Sequence, residues 1–452
     1  MTLPGPYYND DKTSFAYSTV NKRWPTIIDG TISDVESAIA ASSNPGDPAG
    51  KHILAQLIQL NKDLAADEVV KSFTDAEIKL NPDLRYYNES LDKLNKVRKV
   101  TWKTGPWLYL ECYLYQFINN LVLEATQKNT EWKDFDVFEK LKTKTFKQSE
   151  QGVLELCKRY EILSKQLGDA DKEALGLLFS EFIDISLWGN ATDLSLLAGN
   201  VTLDDIKSVQ GAEVRKKNEE KILVNDLPQA WKQLENKGNK RVDIVLDNSG
   251  FELFADLILT LFLLDSKIVN EVHLHCKEIP WFVSDTMPKD FQDLLAQLND
   301  ASFFSEIHAS DPQAIKLVHD EIKNYYDAGK IIINHDPFWT LDFNYWEIPR
   351  FEALYKELQK SDLIIFKGDL NYRKLTGDLQ WPTTTPFVEA IQDLNGSGLP
   401  ILSLRTCKAD VVVGLPEGVN EKLSKEYHDA GNENGRLWSS SGKWAVISYN
   451  KS

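Results

Sequence analysis

An α/β fold, with a parallel or mixed sheet covered by helices on both faces and a helical amino-terminal portion, is the architecture expected of this 452-residue chain. Three observations lead there. After Lys240 short apolar runs alternate with helical segments, the texture of strand-helix units. From Trp24 to Ala230 apolar residues recur at three- and four-residue spacing, the helical period, and strands are hard to find. Several of the later apolar runs end abruptly in polar clusters, as strands do where a sheet presents groups along one rim. The combination is a three-layer α/β/α sandwich of Rossmann-like type, mainly helical over 1–235 and α/β over 236–452.

The helical spacing is clearest in Trp107-Leu-Tyr-Leu-Glu-Cys-Tyr-Leu-Tyr-Gln-Phe-Ile118 and in Leu175 to Ile185. The Ser-, Pro- and Gly-rich stretch Ala41 to Gly50, and Lys216 to Glu220, read as loops or boundaries. Five strands are expected: Val242 to Leu246, Glu271 to His275, Lys330 to Asn334, Asp362 to Phe366 and Pro400 to Leu404. No internal repeat or long low-complexity tract interrupts them.

Composition removes several classes of function. A net charge of −17, from 51 Lys and Arg against 68 Asp and Glu, opposes general binding to nucleic acid or to anionic membrane. It does not oppose a small anionic substrate in a locally basic pocket. The start, Met1-Thr-Leu-Pro-Gly-Pro-Tyr-Tyr, lacks a signal-peptide pattern, and the longest largely apolar stretch, Leu257 to Leu264, is too short to span a bilayer. A soluble protein of the cytoplasm, or also of the nucleus, is expected; oligomeric state stays open, and a monomer is compatible with the sequence. Cys112, Cys157, Cys276 and Cys407 are widely spaced without a CxxC pair, so buried free thiols are expected in place of disulfides or structural zinc.

The candidate site lies at the strand ends. In Arg241-Val-Asp-Ile-Val-Leu-Asp-Asn-Ser-Gly-Phe-Glu-Leu-Phe-Ala-Asp256, an apolar run delivers Asp247 and Asn248 onto a Gly-containing turn before a helix. Adjacent carboxylate and amide oxygens there are hard ligands for a divalent cation. Taken alone, the pair more often caps the following helix. Asp285, past the next strand and a Pro-Trp turn, would bring a second carboxylate to the same place; alone it too reads as a helix cap. The run Asp362 to Lys374 reads as a strand and then a turn, where Lys367, Asn371 and Arg373 could donate to phosphate oxygens and Gly368 allows close backbone approach. A fourth strand ends in Arg405 and Lys408. Each basic run by itself is an ordinary solvated turn; agreement among four strand ends favours a site. His273, His275 and His335 read as structural, not as metal ligands.

Four runs carry a resemblance: Trp188-Gly-Asn-Ala-Thr-Asp-Leu-Ser195, Leu246 to Asp256, Lys367-Gly-Asp-Leu-Asn-Tyr-Arg-Lys-Leu375 and Arg405-Thr-Cys-Lys408. In this order they resemble the damage-control phosphatase family, and more closely its eukaryotic subfamily marked by an Arg-Thr-x-Lys motif, also called the sugar phosphate phosphatase or acidic residue methyltransferase group. The resemblance covers almost the whole chain and is closest to yeast members. It implies a metal-dependent phosphatase acting on sugar phosphates such as fructose 1-phosphate and fructose 6-phosphate, with Mn²⁺, Co²⁺, Ni²⁺ or Mg²⁺ as cofactor. Its metal ligands fall on Asp247, Asn248 and Asp285. Catalysis would rest on Asp247, Asn248 and Lys408. Substrate contacts fall on Asp247, Asn248, Asp369, Leu370, Asn371, Tyr372, Arg373 and Lys408, with Lys367 and Arg405 as additions; Asn190 and Asp193 would line or brace the pocket. One departure is that Gln116 and Phe117 stand where relatives have an Arg pair.

Other classes fit less well. A haloacid-dehalogenase-type phosphatase needs Asp-x-Asp, and Ser249 stands two residues after Asp247. An S-adenosylmethionine-dependent protein-glutamate carboxyl methyltransferase would need a glycine-rich turn after a strand, whereas Gly396-Ser-Gly398 precedes one. Gly435 to Lys443 has six residues between its glycines, too many for a nucleotide phosphate loop. A noncatalytic scaffold is the remaining alternative.

Overall fold

The computed structural model describes residues 3–42, 46–167, 170–189, 219–236 and 238–451. Its centre is a seven-stranded sheet in the order β1-β7-β6-β5-β2-β3-β4, formed by β1 (Ile222–Asn225), β2 (Arg241–Val245), β3 (Glu271–Cys276), β4 (Ile331–His335), β5 (Leu363–Lys367), β6 (Ile401–Thr406) and β7 (Ala445–Asn450). The pairs from β6 through β4 are parallel, β7 is antiparallel to β6, and β1 is parallel to β7. The sheet is therefore mixed. All five expected strands are present within two residues of their expected ends, while β1 and the closing strand β7 were not foreseen.

Successive residues of a strand face opposite sides of a sheet, and the burial here follows that rule. Leu363 and Ile365 of β5 belong to one apolar cluster, Ile364 and Phe366 to the other. The first cluster includes the helices Glu150–Ser164, Lys172–Trp188 and Phe251–Asp265; the second includes Trp24–Ala41, Pro48–Ala66, Leu84–Val97 and Trp107–Thr126. Three layers result, and the amino-terminal helices contribute to both outer ones. Phe251–Asp265 is buried along almost its whole length, which explains a sequence apolar on every side.

Two loop expectations change. Pro48 and Gly50 already lie in a helix, because Asp47 caps it by accepting from the N–H groups of Ala49 and Gly50 and Pro48 suits its first turn. The run after β5 is the helix Gly368–Thr376, entered without a loop because Gly368 takes φ +83°. Of Lys216 to Glu220, residues 216–218 lie outside the described set. All four cysteines are free and buried. Among the described residues, no helix is long and apolar enough to cross a membrane.

Candidate active site

The chain runs β2, β3, β4 outward on one side of the sheet, then returns to β5 and β6 on the other, so β2 and β5 meet at the point where strand order reverses. A crevice opens there at the carboxyl ends of parallel strands. β2 is followed by Leu246, Asp247 and Asn248, and β5 by Gly368; a Cβ placed on Gly368 would lie 1.9 Å from Asp247 Oδ2. Glycine at 368 thus makes room for the carboxylate.

Asp247 and Asn248 do not cap the next helix, whose N-cap is Gly250 with no side-chain bond. Asp285 is not a cap either, since Met287 holds that position for the helix Pro288–Asn299. Instead the loop after β3 folds back against the loop after β2. Thr286 N–H donates to Asp247 O (2.8 Å), Ser249 N–H to Ser284 O (2.7 Å), and Asn248 pairs with Asp285 as an isolated antiparallel bridge. These bonds bring Asp285 beside Asp247. Asn248 Nδ2 donates to Asp247 Oδ2 (2.9 Å) and Glu252 Oε2 (2.8 Å), and its Oδ1 accepts from Ser284 Oγ (2.5 Å).

The carboxylates share a few buried cations. Lys277 Nζ donates to Leu246 O (2.9 Å) and stands 3.4 Å from Asp285 Oδ2, an oxygen that accepts no well-formed hydrogen bond. Burial, then Glu252 and Asp285, push Asp247 well above the usual carboxylate range, with Lys277 and Lys408 opposing. Burial also raises Asp285 to about 6, against the pull of Lys277. Buried carboxylates crowded in this way call for further positive charge.

That need, with hard oxygen donors, fits a divalent cation held by Asp247, Asn248 and Asp285. Among the described residues, no group of three or more His, Cys, Asp or Glu side chains could hold a metal ion. Two carboxylates and an amide would thus leave positions for water or substrate oxygens, a Mg²⁺-like pattern. A cavity of about 490 Å³ opens beside them, lined by Asn248, Ser249, Glu252, Val283 and Ser284 together with Gly189 and Phe146.

The expected phosphate donors divide into two groups. Lys408, half-buried, faces Asp247 electrostatically, and its N–H donates to Asp369 Oδ1 (3.1 Å). The other cations turn inward. Lys367 Nζ meets Ser186 O (2.6 Å), Asp256 Oδ1 (3.0 Å) and Glu252 Oε1 (3.3 Å), which occupies all three of its donors. Arg405 is a residue of β6, not of the turn after it. Its buried guanidinium bonds Asp369, Ala409 O and Val411 O and lies 4.3 Å above the Tyr372 ring. Arg373 forms a fork on Asp378 (3.2 and 2.9 Å), reaches Glu111 (3.0 Å) and stacks 3.7 Å from the Trp107 ring centroid.

Within the expected contact run, Leu370 packs in the apolar core, and Tyr372 Oη accepts from Val413 N–H. Asn371 Nδ2 donates to the carbonyls of Val245, Leu246 and Lys367, and its Oδ1 accepts from Tyr345 Oη (2.7 Å). These residues lie in a helix, not an exposed turn, and Gly368–Thr376 is enclosed on nearly every side, so residues 370–373 all meet protein partners. Asn190 and Asp193 lie outside the described residues.

Lys277, Glu252 and Asp256 are members of the site that the sequence reading passed over. Lys277 follows an apolar strand directly, as Lys367 does, and that was the available signal. His275 bonds Asp243 (2.9 Å), His273 bonds Asn334 (2.9 Å) and His335 faces Glu278, so these histidines stand among neighbours other than the Asp247 cluster. Gln116, at the departure from the resembling family, is buried and donates to Thr340 O (3.0 Å).

Residues 19–423 match the family model described as the damage-control phosphatase ARMT1-like domain. The protein named damage-control phosphatase ARMT1 from Macaca fascicularis is 35% identical over 463 residues, covering 99% of this chain and 98% of that one. Its human namesake is 34% identical with the same coverage, and that of Danio rerio is 35% identical over 96% of this chain and 94% of its own. By that match and those identities, the chain belongs to the damage-control phosphatase ARMT1-like family.

Proposed function

We propose that the crevice between β2 and β5 is the active site of a divalent-cation-dependent phosphomonoesterase, acting on sugar phosphates such as fructose 1-phosphate and fructose 6-phosphate in metabolite damage control. The observation that carries the reading is the convergence of Asp247, Asn248 and Asp285, from two different strand ends, on a crevice faced by Lys408. The family's name supports phosphatase chemistry; the donor set and the excess of buried carboxylate support a cation.

When bound, Mn²⁺, Co²⁺, Ni²⁺ or Mg²⁺ supplies polarisation of the phosphoryl group and neutralises charge on its oxygens. Asp247, Asn248 and Asp285 would hold it. Lys408 binds an equatorial phosphoryl oxygen, and Asp369 orients Lys408 through its backbone N–H while also fixing Arg405. Lys277 keeps Asp285 and the end of β2 in place before substrate arrives. Asp247, ionised when a cation is bound, would act as base toward water, or would attack phosphorus itself as the bond to the sugar oxygen breaks, with water then hydrolysing the aspartyl-phosphate. Lys367, Arg373 and Arg405 serve as positioning residues behind this face.

The experiment is phosphate release from a panel of sugar phosphates by metal-stripped protein, with each of the four ions restored in turn and Asp247→Ala as control. Ion-dependent release lost in the variant is expected. No release with any ion would refute the reading and direct the next assay to S-adenosylmethionine binding.

A further inference from the structure

A second cavity, of about 640 Å³, lies against the other flank of the loop that carries Asp285. Ile279, Pro280 and Met287 of that loop line it, whereas Val283 and Ser284 line the cavity that contains Asn248; no residue is common to the two linings. The opposite wall comes from the helix Trp107–Thr126 and the segment around Asp83.

Two polar groups on this wall bear on its use. Asn119 is only 9% exposed, lines the cavity, and among the described residues its side-chain amide has no hydrogen-bond partner. Asp83 holds the N-cap position of the helix Leu84–Val97, yet its carboxylate makes no capping bond; partial burial raises its pKa against the pull of Arg85, with Asp336 adding to the rise. The wall carries four carboxylates, Asp83, Asp134, Asp136 and Glu278, against two ammonium groups, Lys133 and Lys289. Lys289 is engaged by Asp136 and Glu139, Asp136 also holds Lys142, and Glu278 faces His335, which leaves Asp83 and Asp134 against Lys133. Apolar surface from Val122, Leu123, Ile279 and Pro280 completes the lining.

We propose that this cavity is a binding site for a small organic cation, an aliphatic ammonium compound whose charged end meets Asp83, whose hydrogen-bonding groups meet Asn119, and whose chain lies along the apolar wall. The volume is within the ordinary range for small-molecule sites, about 300–1,000 Å³. A phosphate or carboxylate ligand is disfavoured by the sign of the surrounding charge. An occupant would rest against Ile279 and Pro280, on the back of the loop that presents Asp285.

The test reads binding directly, so its failure is separate from any failure of the phosphatase reading. The whole protein is titrated calorimetrically with three probes of equal chain length and different charge: hexane-1,6-diamine, hexane-1,6-diol and adipate. Saturable binding of the diamine, at least tenfold tighter than the diol, and none of adipate is expected. Asn119→Leu and Asp83→Asn should each weaken the diamine at least fivefold. Asp83→Asn is isosteric and only partly buried, so it answers the question even if Asn119→Leu misfolds; thermal melting checks both. No saturable diamine binding, a preference for adipate, or affinity unchanged in Asp83→Asn would overturn the proposal.

Discussion

Gly368 lies directly beneath the carboxylate of Asp247, so close that a methyl group at residue 368 would overlap Oδ2 at 1.9 Å. The contact joins the ends of β2 and β5, the two strands at which the winding of the sheet reverses. It also ties a backbone requirement to a chemical one, since residue 368 has φ +83°, where side chains are strained.

Gly368→Ala should therefore displace Asp247. Backbone strain of about 1–2 kcal/mol is expected from the left-handed conformation alone. Phosphate release should fall at least tenfold, with weaker affinity for Mn²⁺. Wild-type turnover and Mn²⁺ affinity in the alanine variant would separate Gly368 from the site.

Acidity offers a second test. In the folded chain Asp285 keeps its proton to about 6, whereas an unfolded aspartate loses it near ~4. A raised folded value gives stability that is complete below the unfolded value and is lost as pH rises through the folded one. In chelator, wild type should thus lose stability relative to Asp285→Asn between roughly pH 4 and pH 7. Added Mn²⁺ should reduce the loss, because the ion binds the ionised carboxylates. Melting temperatures of the two proteins that run parallel across this range would contradict the arrangement.

Lys277 is the ammonium nearest Asp285, and it is 1% exposed. Removing one member of a buried ion pair typically costs about 3–5 kcal/mol. Lys277→Met should lower the urea midpoint of metal-free protein, and a divalent ion should stabilise the variant more than it stabilises wild type. Equal stabilisation of both would mean that Lys277 and the ion do not answer the same charge.

Two basic residues should respond differently to substitution. Lys408→Ala is expected to raise KM for a sugar phosphate by tenfold or more. Arg373→Met should instead lose about 3–5 kcal/mol of stability, because Glu111 and Asp378 are left buried without their cation. Its folded fraction should keep a wild-type KM. A reversed pattern would exchange the roles of these side chains.

Much of this site was legible in the chain. Asp247, Asn248 and Asp285 each follow a recognisable apolar strand at short range, and strand ends on one rim converge by construction. What the chain does not display is the partners of its cations. Lys367, Arg373 and Arg405 stand in polar runs that look open to solvent, but their partners are remote: Glu252 is 115 positions from Lys367, and Glu111 is 262 from Arg373. A sequence displays a charge without showing the opposite charge that will be folded against it. Lys277 shares its loop with Asp285, but the carbonyl it bonds, of Leu246, is 31 positions away on another strand end.

By itself the sequence determined the local periods, and through them the five parallel strands, the helices between them and the oxygen-bearing turn after β2. Periodicity is a property of neighbouring residues and the backbone, so it can be read without knowing what packs where. Tertiary structure alone decided that the helix Gly368–Thr376 is enclosed on nearly every side and which cations are consumed by buried partners. It also brought the loop after β3 back to set Asp285 beside Asp247. Those outcomes depend on long-range packing and on desolvation, which pairs buried charges according to distance in space and not according to order along the chain.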